Sequence, residues 1–229
     1  MHILALTNDW NLLFTGQNFL NLLLGLWVTI RIALISMIGS IILGVFLGIA
    51  LTTKNRIIHV ITILYVEILR LTPQLVLLFV VFFGVAKTLE INIGGETAAI
   101  IVFTLWGTAE MGDLVRGALQ SIPANQKQSA LALGMSSMQT MRYVTLPLAF
   151  RQLIPLTVNL TTRMIKTTSL ISMIGVIEIL KMAQVIIDRG RFDYPDAALW
   201  IYGAVFFLYF IACYAISLFA AYLERKLSL

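Results

Sequence analysis

Five long apolar stretches constrain what this 229-residue sequence can fold into. They lie within residues 19–51, 57–85, 97–115, 153–179 and 197–222, and polar residues bound each of them. A helix of about 20 residues crosses the hydrocarbon core of a bilayer, so each stretch is long enough for one crossing. With 59% hydrophobic and 12% charged residues, the composition is far more apolar than that of a soluble domain. The sequence therefore predicts an all-α polytopic membrane protein with five transmembrane helices.

The basic residues predict how these spans are oriented. With the N-terminus outside, eight of them lie in inner segments: Lys54, Arg56, Arg116, Lys127, Arg142, Arg151, Arg225 and Lys226. Four lie in outer segments: Lys87, Lys181, Arg189 and Arg191. Because cytoplasmic loops carry an excess of Lys and Arg, we expect an extracytoplasmic segment at 1–18, a transmembrane domain at 19–222 and a cytoplasmic tail at 223–229.

Four further basic residues fall inside the predicted spans: Arg31, Arg70, Arg163 and Lys166. A charged group at that depth is costly, so each should face either an opposite charge or a watery cavity. These residues are the first indication of a permeation route. The formal charge of +5 comes from dispersed residues rather than from a basic run, which argues against a nucleic-acid partner.

The inner segment at 118–150 is too polar to span and has the pattern of a helix, a turn and a second helix. The boundaries rest on residues that start or stop helices: Pro123, Gly134, Ser136 or Ser137, and Leu146-Pro147. Gly134 suits a helix end that needs a positive φ, and the prolines suit a start and a second stop. A stiff element of this kind is suited to dock in a groove of a soluble partner.

These residues resemble the EAA loop of ABC importer permeases. The stretch Gln128-Ser129-Ala130-Leu131-Ala132-Leu133-Gly134, then nine residues, then Val144-Thr145-Leu146-Pro147 reproduces the spacing of that motif. The sequence departs from it at Gln128, where the motif has Glu, at Ser129, where it has Ala, and at Val144, where it has Ile. The first departure removes a charge but keeps a hydrogen-bonding oxygen of similar reach.

Three more segments resemble the polar amino acid branch of these permeases, which includes histidine, glutamine, glutamate, arginine and opine carriers. Tyr65-Val66-Glu67-Ile68-Leu69-Arg70-Leu71-Thr72-Pro73 is similar to Y-V-E-x-x-R-x-T-P, and Asp113-Leu114-Val115-Arg116-Gly117-Ala118 to E-I-x-R-G-A. Lys166-Thr167-Thr168-Ser169-Leu170, followed by Ile174-Gly175 and Glu178, is similar to K-D-T-S-L with I-G-x-x-E. The resemblance covers roughly residues 20–220.

The resemblance implies a type I ABC importer transmembrane domain in a bacterial cytoplasmic membrane. It implies an ABC ATPase subunit dimer, a second permease that is identical or similar, and an extracytoplasmic solute-binding protein as partners, with membrane lipid around the bundle. The chain has no G-x-x-x-x-G-K-[ST], so it should hold no cofactor and ATP and Mg should bind to the partner ATPase. The residues expected to contact that ATPase are Gln126, Gln128, Ser129, Ala130, Leu133 and Gly134.

A polar stripe on the fourth span is the candidate substrate site. Its residues fall within about a third of the helix circumference: Asn159, Thr162, Arg163, Lys166 and Ser169. In one interpretation the stripe faces a central cavity, where Arg163 and Lys166 hold a substrate carboxylate. In the other, the charges pair within the bundle, for instance with Glu67, Glu110 or Glu178.

Two other spans carry candidate residues. Glu67 and Arg70 share a face of the second span, where they either contact substrate or pair with each other and position a bend at Pro73. In the third span, Glu110 either meets the substrate ammonium or pairs with Arg31.

The cargo is expected to be a polar amino acid. Family members that carry basic substrates often have an acid directly after the residue matching Asn159, whereas this chain has Leu160. The resemblance therefore implies a neutral or acidic cargo, such as glutamine or glutamate.

Other classes of protein fit less well. An ion-gradient-driven secondary transporter or channel would also need charges inside the membrane, but it would not need the patterned inner loop. The sequence offers no nucleophile-and-base set for an enzyme, and His2 and His59 alone argue against a dedicated zinc site. Gly39, Gly44 and Gly48 in the first span are expected to permit close helix packing.

Overall fold

α-Helices account for nearly all of the chain that the computed structural model describes, which is residues 9–85, 88, 90 and 92–227. The helices in chain order are α1 (Asn11–Phe14), α2 (Asn18–Leu51), α3 (Arg56–Leu71), α4 (Gln74–Phe79), α5 (Gly95–Gln120), α6 (Ala124–Ala132), α7 (Ser137–Thr140), α8 (Leu146–Thr167), α9 (Ile179–Gly190) and α10 (Ala197–Leu227). Three turns of other helical type extend them: π-helical Val80–Val85 after α4, π-helical Met141–Thr145 between α7 and α8, and 3-10 helical Thr168–Ile174 after α8. Predictions for residues 1–8, Lys87 and residues 228–229 lie outside the described residues.

The helices account for five membrane crossings. By length and composition, α2, α5 and α10 can each cross a bilayer alone. The pair α3 and α4, and the pair formed by the α7–α8 segment and α9, each pass the same test together but contain a break. The all-α, five-span fold class is thus confirmed, although two of the five spans are broken helices rather than single rods.

The second span turns sharply at Pro73. Its two parts, Arg56–Leu71 and Gln74–Val85, are bent by 101° relative to each other. Proline disfavours helical backbone in the residue before it, and Thr72 accordingly has an extended ψ of 132°. The bend expected at Pro73 is confirmed, and the second span predicted within 57–85 is a broken helix.

Small residues let α2 and α5 lie against each other as parallel neighbours. A Cβ at Gly44 would lie 2.6 Å from Met111 Cβ, and one at Gly48 would lie 2.5 Å from Val115 Cβ. On the same face the Ser40 hydroxyl donates to the Thr104 carbonyl at 3.3 Å. The predicted packing role of the glycines in the first span is therefore confirmed.

The main core forms where α5 meets α2 and α8. Phe103 of α5, Ile32 of α2 and Met164 of α8 are all fully buried there. α5 thus stands at the centre of the bundle, in contact with both α2 and α8.

The fourth span begins earlier than expected. We predicted a helix stop at Leu146-Pro147 and a span at 153–179, but the chain stays helical from Ser137 through Ile174. The π-helical turn Met141–Thr145 comes just before Pro147, which then lies in the first turn of α8. The wider π-helical turn accommodates the hydrogen bond that Pro147 cannot make, so the helix continues and the predicted stop is wrong.

Candidate functional site

The segment between α5 and α8 contains the short helices α6 and α7, which are joined by a hydrogen-bonded turn at residues 133–136. At the end of α6, the Gly134 N–H donates to the Leu131 carbonyl at 3.0 Å and the Met135 N–H donates to the Ala130 carbonyl at 3.2 Å. These two bonds form a Schellman motif, which needs a left-handed residue, and Gly134 has φ of +84°. The positive φ predicted for Gly134 is confirmed.

A capping box starts the next helix. The Ser136 hydroxyl accepts from the Gln139 backbone N–H at 3.3 Å, and the Gln139 side chain accepts from the Ser136 backbone N–H at 2.8 Å. Of the two predicted caps, Ser136 rather than Ser137 is the one used. One end of the turn is therefore held by backbone–backbone hydrogen bonds, and the other end by hydrogen bonds from backbone N–H groups to side chains.

The six residues predicted to contact an ATPase do not all face outwards. Ala130 is only 5% exposed, and α6 packs against α7 and the π-helical turn Met141–Thr145. Gln126, Gln128, Ser129 and Gly134 are exposed, and Leu133 is 83% exposed at the tip of the turn. Leu131 and Met138 are exposed beside it, so the turn presents apolar side chains.

A row of alternating charges crosses three helices. Arg163 of α8 pairs with Glu110 of α5, whose other oxygen lies 3.5 Å from Nε of Arg70 on α3. Arg70 Nη1 donates to Asp113 Oδ2 at 2.8 Å, and Arg116 Nε donates to Asp113 Oδ1 at 3.0 Å. Three arginines share two carboxylates, which leaves one positive charge in excess.

The row settles several pairings that the sequence left open. Of the alternatives left open, the ion pairs Glu67–Arg70 and Glu110–Arg31 do not form in the structure. Arg70 instead reaches across to Asp113, and Arg31 pairs with Glu96 at the start of α5. Arg70 pairs with Asp113 of α5 rather than with Glu67, the nearest acid in sequence, because α3 and α5 pack side by side.

Glu67 is not part of the row but lies next to it. Together with Arg70, Asp113, Arg116 and His59 it lines a cavity of about 220 Å³ between the end of α2, α3 and α5. Among the described side chains, Glu67 makes no ion pair. The cavity is therefore polar on several sides, and the Glu67 carboxylate in it forms no ion pair with a described side chain.

The polar stripe on α8 faces away from the core. Asn159, Arg163 and Lys166 are exposed, while Thr162 and Ser169 are half-buried. Leu160, the residue used to infer the cargo, is 2% exposed and lies in the main core on the other side of the helix. The shared face is as predicted, whereas Leu160 cannot contact a cargo in this conformation.

The stripe divides into two parts. The guanidinium of Arg163 lies over the Trp106 ring, 5.1 Å from its centroid, and so leans towards α5. Lys166 and Ser169 instead line a cavity of about 380 Å³ whose other walls come from α9 and α10. The cavity is lined by Lys166, Ser169, Leu180, Tyr202, Val205, Phe206 and Tyr209.

Glu178 is fully buried and joins three elements. Its carboxylate accepts from the backbone N–H groups of Leu180 at 3.0 Å and Lys181 at 2.8 Å, which caps the start of α9. The hydroxyls of Thr29 and Tyr209 donate to it at 3.5 Å and 3.3 Å. It holds the joint between α8 and α9 and does not pair with the stripe.

Sequence reasoning missed Asp113, Trp106 and Tyr209 as parts of these sites. Trp106, Glu110 and Asp113 follow each other at spacings of four and three, which places them on one face of α5 and was a readable signal. Tyr209 carried no such signal, since it depends on how α10 packs. No group of three or more His, Cys, Asp or Glu able to hold a metal occurs among the described residues.

A bundle of helices long enough to cross a bilayer, with charged side chains inside the spans and a hydrogen-bonded turn between two of them, is the architecture expected of a transport permease. Comparison with known proteins agrees. The family model of the inner membrane component of binding-protein-dependent transport systems matches residues 40–229. The chain belongs to this family, among the amino-acid ABC transporter permeases.

Curated relatives cover nearly the whole chain. The probable amino-acid ABC transporter permease protein YckA of Bacillus subtilis (strain 168) is 31% identical over 95% of this chain and 96% of its own length. The glutamine transport system permease protein GlnP of Escherichia coli (strain K12) is 31% identical over 96% and 98%. The L-cystine transport system permease protein TcyB of Bacillus subtilis (strain 168) is 33% identical over 89% and 85%.

Solved structures share the fold. The crystal structure of an amino acid ABC transporter with histidines superposes with a TM-score of 0.80 at 24% identity, covering 90% of this chain and 94% of that chain. An inward facing conformation of the MetNI methionine ABC transporter gives 0.73 at 20% identity, covering 93% and 99%. An ABC transporter permease works with an ATPase and other components, and this chain is therefore a multi-pass inner membrane subunit of such a system.

Proposed function

We propose that this chain forms the transmembrane path of an ATP-driven importer for a polar amino acid with a neutral or acidic side chain, such as glutamine or glutamate. The observation that carries the proposal is the turn between α6 and α7, closed by a Schellman motif at Gly134 and a capping box at Ser136. A path driven by an ion gradient has no need of a stiff external element with exposed apolar side chains.

The turn is the proposed contact with the ATPase. Leu133 and Met138 would enter a groove of the partner, and Gln126, Gln128 and Ser129 would add hydrogen bonds at its rim. Ala130 serves the same contact indirectly, because it is buried and its carbonyl accepts the Met135 N–H that closes the turn. Gln128 makes this contact without the charge that the EAA motif carries there.

The proposed assembly is a pair of permeases, identical or similar, above an ABC ATPase dimer, with an extracytoplasmic binding protein delivering the amino acid. ATP and Mg bind to the ATPase subunits and not to this chain. The residues from 1 to 18 lie outside, 19–222 form the transmembrane domain with the EAA loop at about 118–150, and 223–229 form a cytoplasmic tail. Basic residues at the inner ends of the spans support this orientation.

The substrate site in this proposal lies along the α8 stripe of Asn159, Thr162, Arg163, Lys166 and Ser169. Glu110 faces the stripe, and Glu67 and Arg70 line the cavity below it. The basic residues of the stripe favour a ligand carboxylate and disfavour a cationic side chain. The glutamine and cystine carriers among the relatives agree with a neutral amino acid as cargo.

The mechanism follows from the connections of α8 and α5. α5 connects to the turn through α6, and α7 continues from the turn through Met141–Thr145 into α8, so a movement of the turn reaches both walls of the charged row. Closure of the ATPases on ATP would move the turn and reorient the spans around the row, which gives alternating access.

Reconstitution of the assembled complex in proteoliposomes tests the proposal. We expect labelled glutamine or glutamate to accumulate only with ATP on the ATPase side, and a panel of amino acids to stimulate ATP hydrolysis in the same order as uptake. A marked preference for arginine or lysine would refute the cargo assignment. Accumulation driven by a sodium or proton gradient without ATP would refute the importer.

A further inference from the structure

We infer that Lys166, and not Arg163, receives the carboxylate of the transported amino acid, in the cavity between α8, α9 and α10. The inference rests on the proposed function, since it names the group that recognises the cargo. It starts from the four basic residues that the sequence places inside spans, each of which needs an opposite charge or a cavity.

Three of the four have carboxylate partners. Arg31 pairs with Glu96, Arg70 with Asp113 and Glu110, and Arg163 with Glu110. The ammonium of Lys166 makes no ion pair with any acid whose side chain the structure describes. Lys166 is thus the member of the set whose charge this chain leaves uncompensated.

Its position makes that charge costly. Lys166 shares its cavity with Tyr209, which is about 18 Å from the start of α10 at 1.5 Å per residue, while α10 is about 46 Å long. The lysine therefore lies near the middle of the membrane-spanning part of α10. An ammonium at such depth is stabilised strongly by an incoming anion, because little else there can solvate it.

The cavity is suited to a small organic anion. Its volume is about 380 Å³, and Val205, Phe206 and Leu180 give it apolar walls. Ser169 and Tyr202 place hydroxyl groups on its lining, and no carboxylate belongs to that lining. A carboxylate is therefore favoured in it and an ammonium is not, while the apolar walls can take the methylene groups of the ligand.

Arg163 is the weaker candidate because its guanidinium already forms an ion pair with Glu110. A carboxylate that bound Arg163 would have to share the guanidinium with Glu110 and with the face of the Trp106 ring. Glu110 is only 14% exposed, so losing that partner would leave a largely buried carboxylate with Arg70 alone. The Arg163–Glu110 pair thus acts as a fixed wall of the path, one helical turn from the binding lysine.

A cycle of ligand and protein changes tests the assignment. Equilibrium binding to the assembled transporter in lipid nanodiscs is measured for glutamine and for 4-aminobutanamide, which is glutamine without its carboxylate. In the wild type, loss of the carboxylate should weaken binding about tenfold or more, the effect of a charge-assisted hydrogen bond. In Lys166→Gln that factor should fall below about threefold, while 4-aminobutanamide binds the variant no more weakly than it binds the wild type.

Two further variants make the cycle decisive. Lys166→Arg should restore the dependence on the carboxylate, and Lys181→Gln should leave it unchanged, because the Lys181 ammonium already donates to Gln184 at 3.4 Å. An unchanged dependence in Lys166→Gln, with its loss in Arg163→Gln, would overturn the inference and leave the proposed function standing. Failure of the wild-type assembly to bind or accumulate any amino acid would instead refute the proposed function itself.

Discussion

Replacing Gly134 by valine should separate ATP hydrolysis from transport. Gly134 has φ of +84°, and a Cβ there would meet nothing within 4 Å, so the effect of a side chain is on the backbone and not on packing. A left-handed conformation costs an ordinary L-residue about 1–2 kcal/mol, and a β-branched residue more. If valine escapes that strain by leaving the left-handed region, the two hydrogen bonds of the Schellman motif are lost instead, at about 0.5–1.5 kcal/mol each.

Either outcome costs about 1–3 kcal/mol, which lowers the ratio of native to non-native turn roughly 5- to 150-fold. The bundle itself should stay folded, since this cost is well below the 5–15 kcal/mol or so that typically separates folded from unfolded domains. The assay is the number of amino acid molecules taken up per ATP hydrolysed in proteoliposomes. We expect that ratio to fall about tenfold in Gly134→Val.

Asparagine provides the matched control, because it tolerates the left-handed region far better than valine does. Gly134→Asn should therefore keep most of the wild-type ratio. If the valine and asparagine variants both transport with the wild-type ratio, the conformation of Gly134 does not matter for coupling, and the role assigned to the turn is wrong.

Three more predictions concern stability, each measured as the unfolding midpoint in detergent. Gly48→Ala should destabilise the protein by about 1–3 kcal/mol, because its Cβ would lie 2.5 Å from Val115, whereas Gly203→Ala has nothing within 4 Å and should be neutral; equal effects would contradict the packing of α2 on α5. Asp113→Asn should lower the midpoint by leaving two arginines without their shared carboxylate, and the loss should shrink in high salt; a loss independent of salt would point to packing instead. Glu178→Ala should cost about 0.5–2 kcal/mol through loss of the α9 cap, with Glu178→Gln costing less, and identical losses would show that the cap is not the cause.

Features set by neighbouring residues were predictable from the sequence. The apolar stretches predicted the five spans because a bilayer demands a fixed length of apolar helix. Gly134 and Pro73 predicted a helix end and a bend, because both act through the backbone at their own position. The glycines of α2 predicted close packing, although they did not say against which helix.

Features set by tertiary packing were not predictable in the same way. The acid nearest to Arg70 in sequence is Glu67, but the structure pairs Arg70 with Asp113 of another helix. The proline at 147 should have ended a helix, and a π-helical turn before it allowed the chain to continue. Which cation of the stripe remains unpaired, Arg163 or Lys166, depends on the packing of α5 and α10 against α8, and no spacing within α8 contains that information.

The central claim is that work from ATP hydrolysis moves an amino acid through this bundle. The most direct measurement is uptake of labelled glutamine into proteoliposomes that contain the permease with its ATPase and binding protein, compared with the same vesicles carrying an ATPase unable to hydrolyse ATP. The account predicts accumulation above the external concentration with the active ATPase and none with the inactive one. Equal accumulation in the two preparations would contradict it.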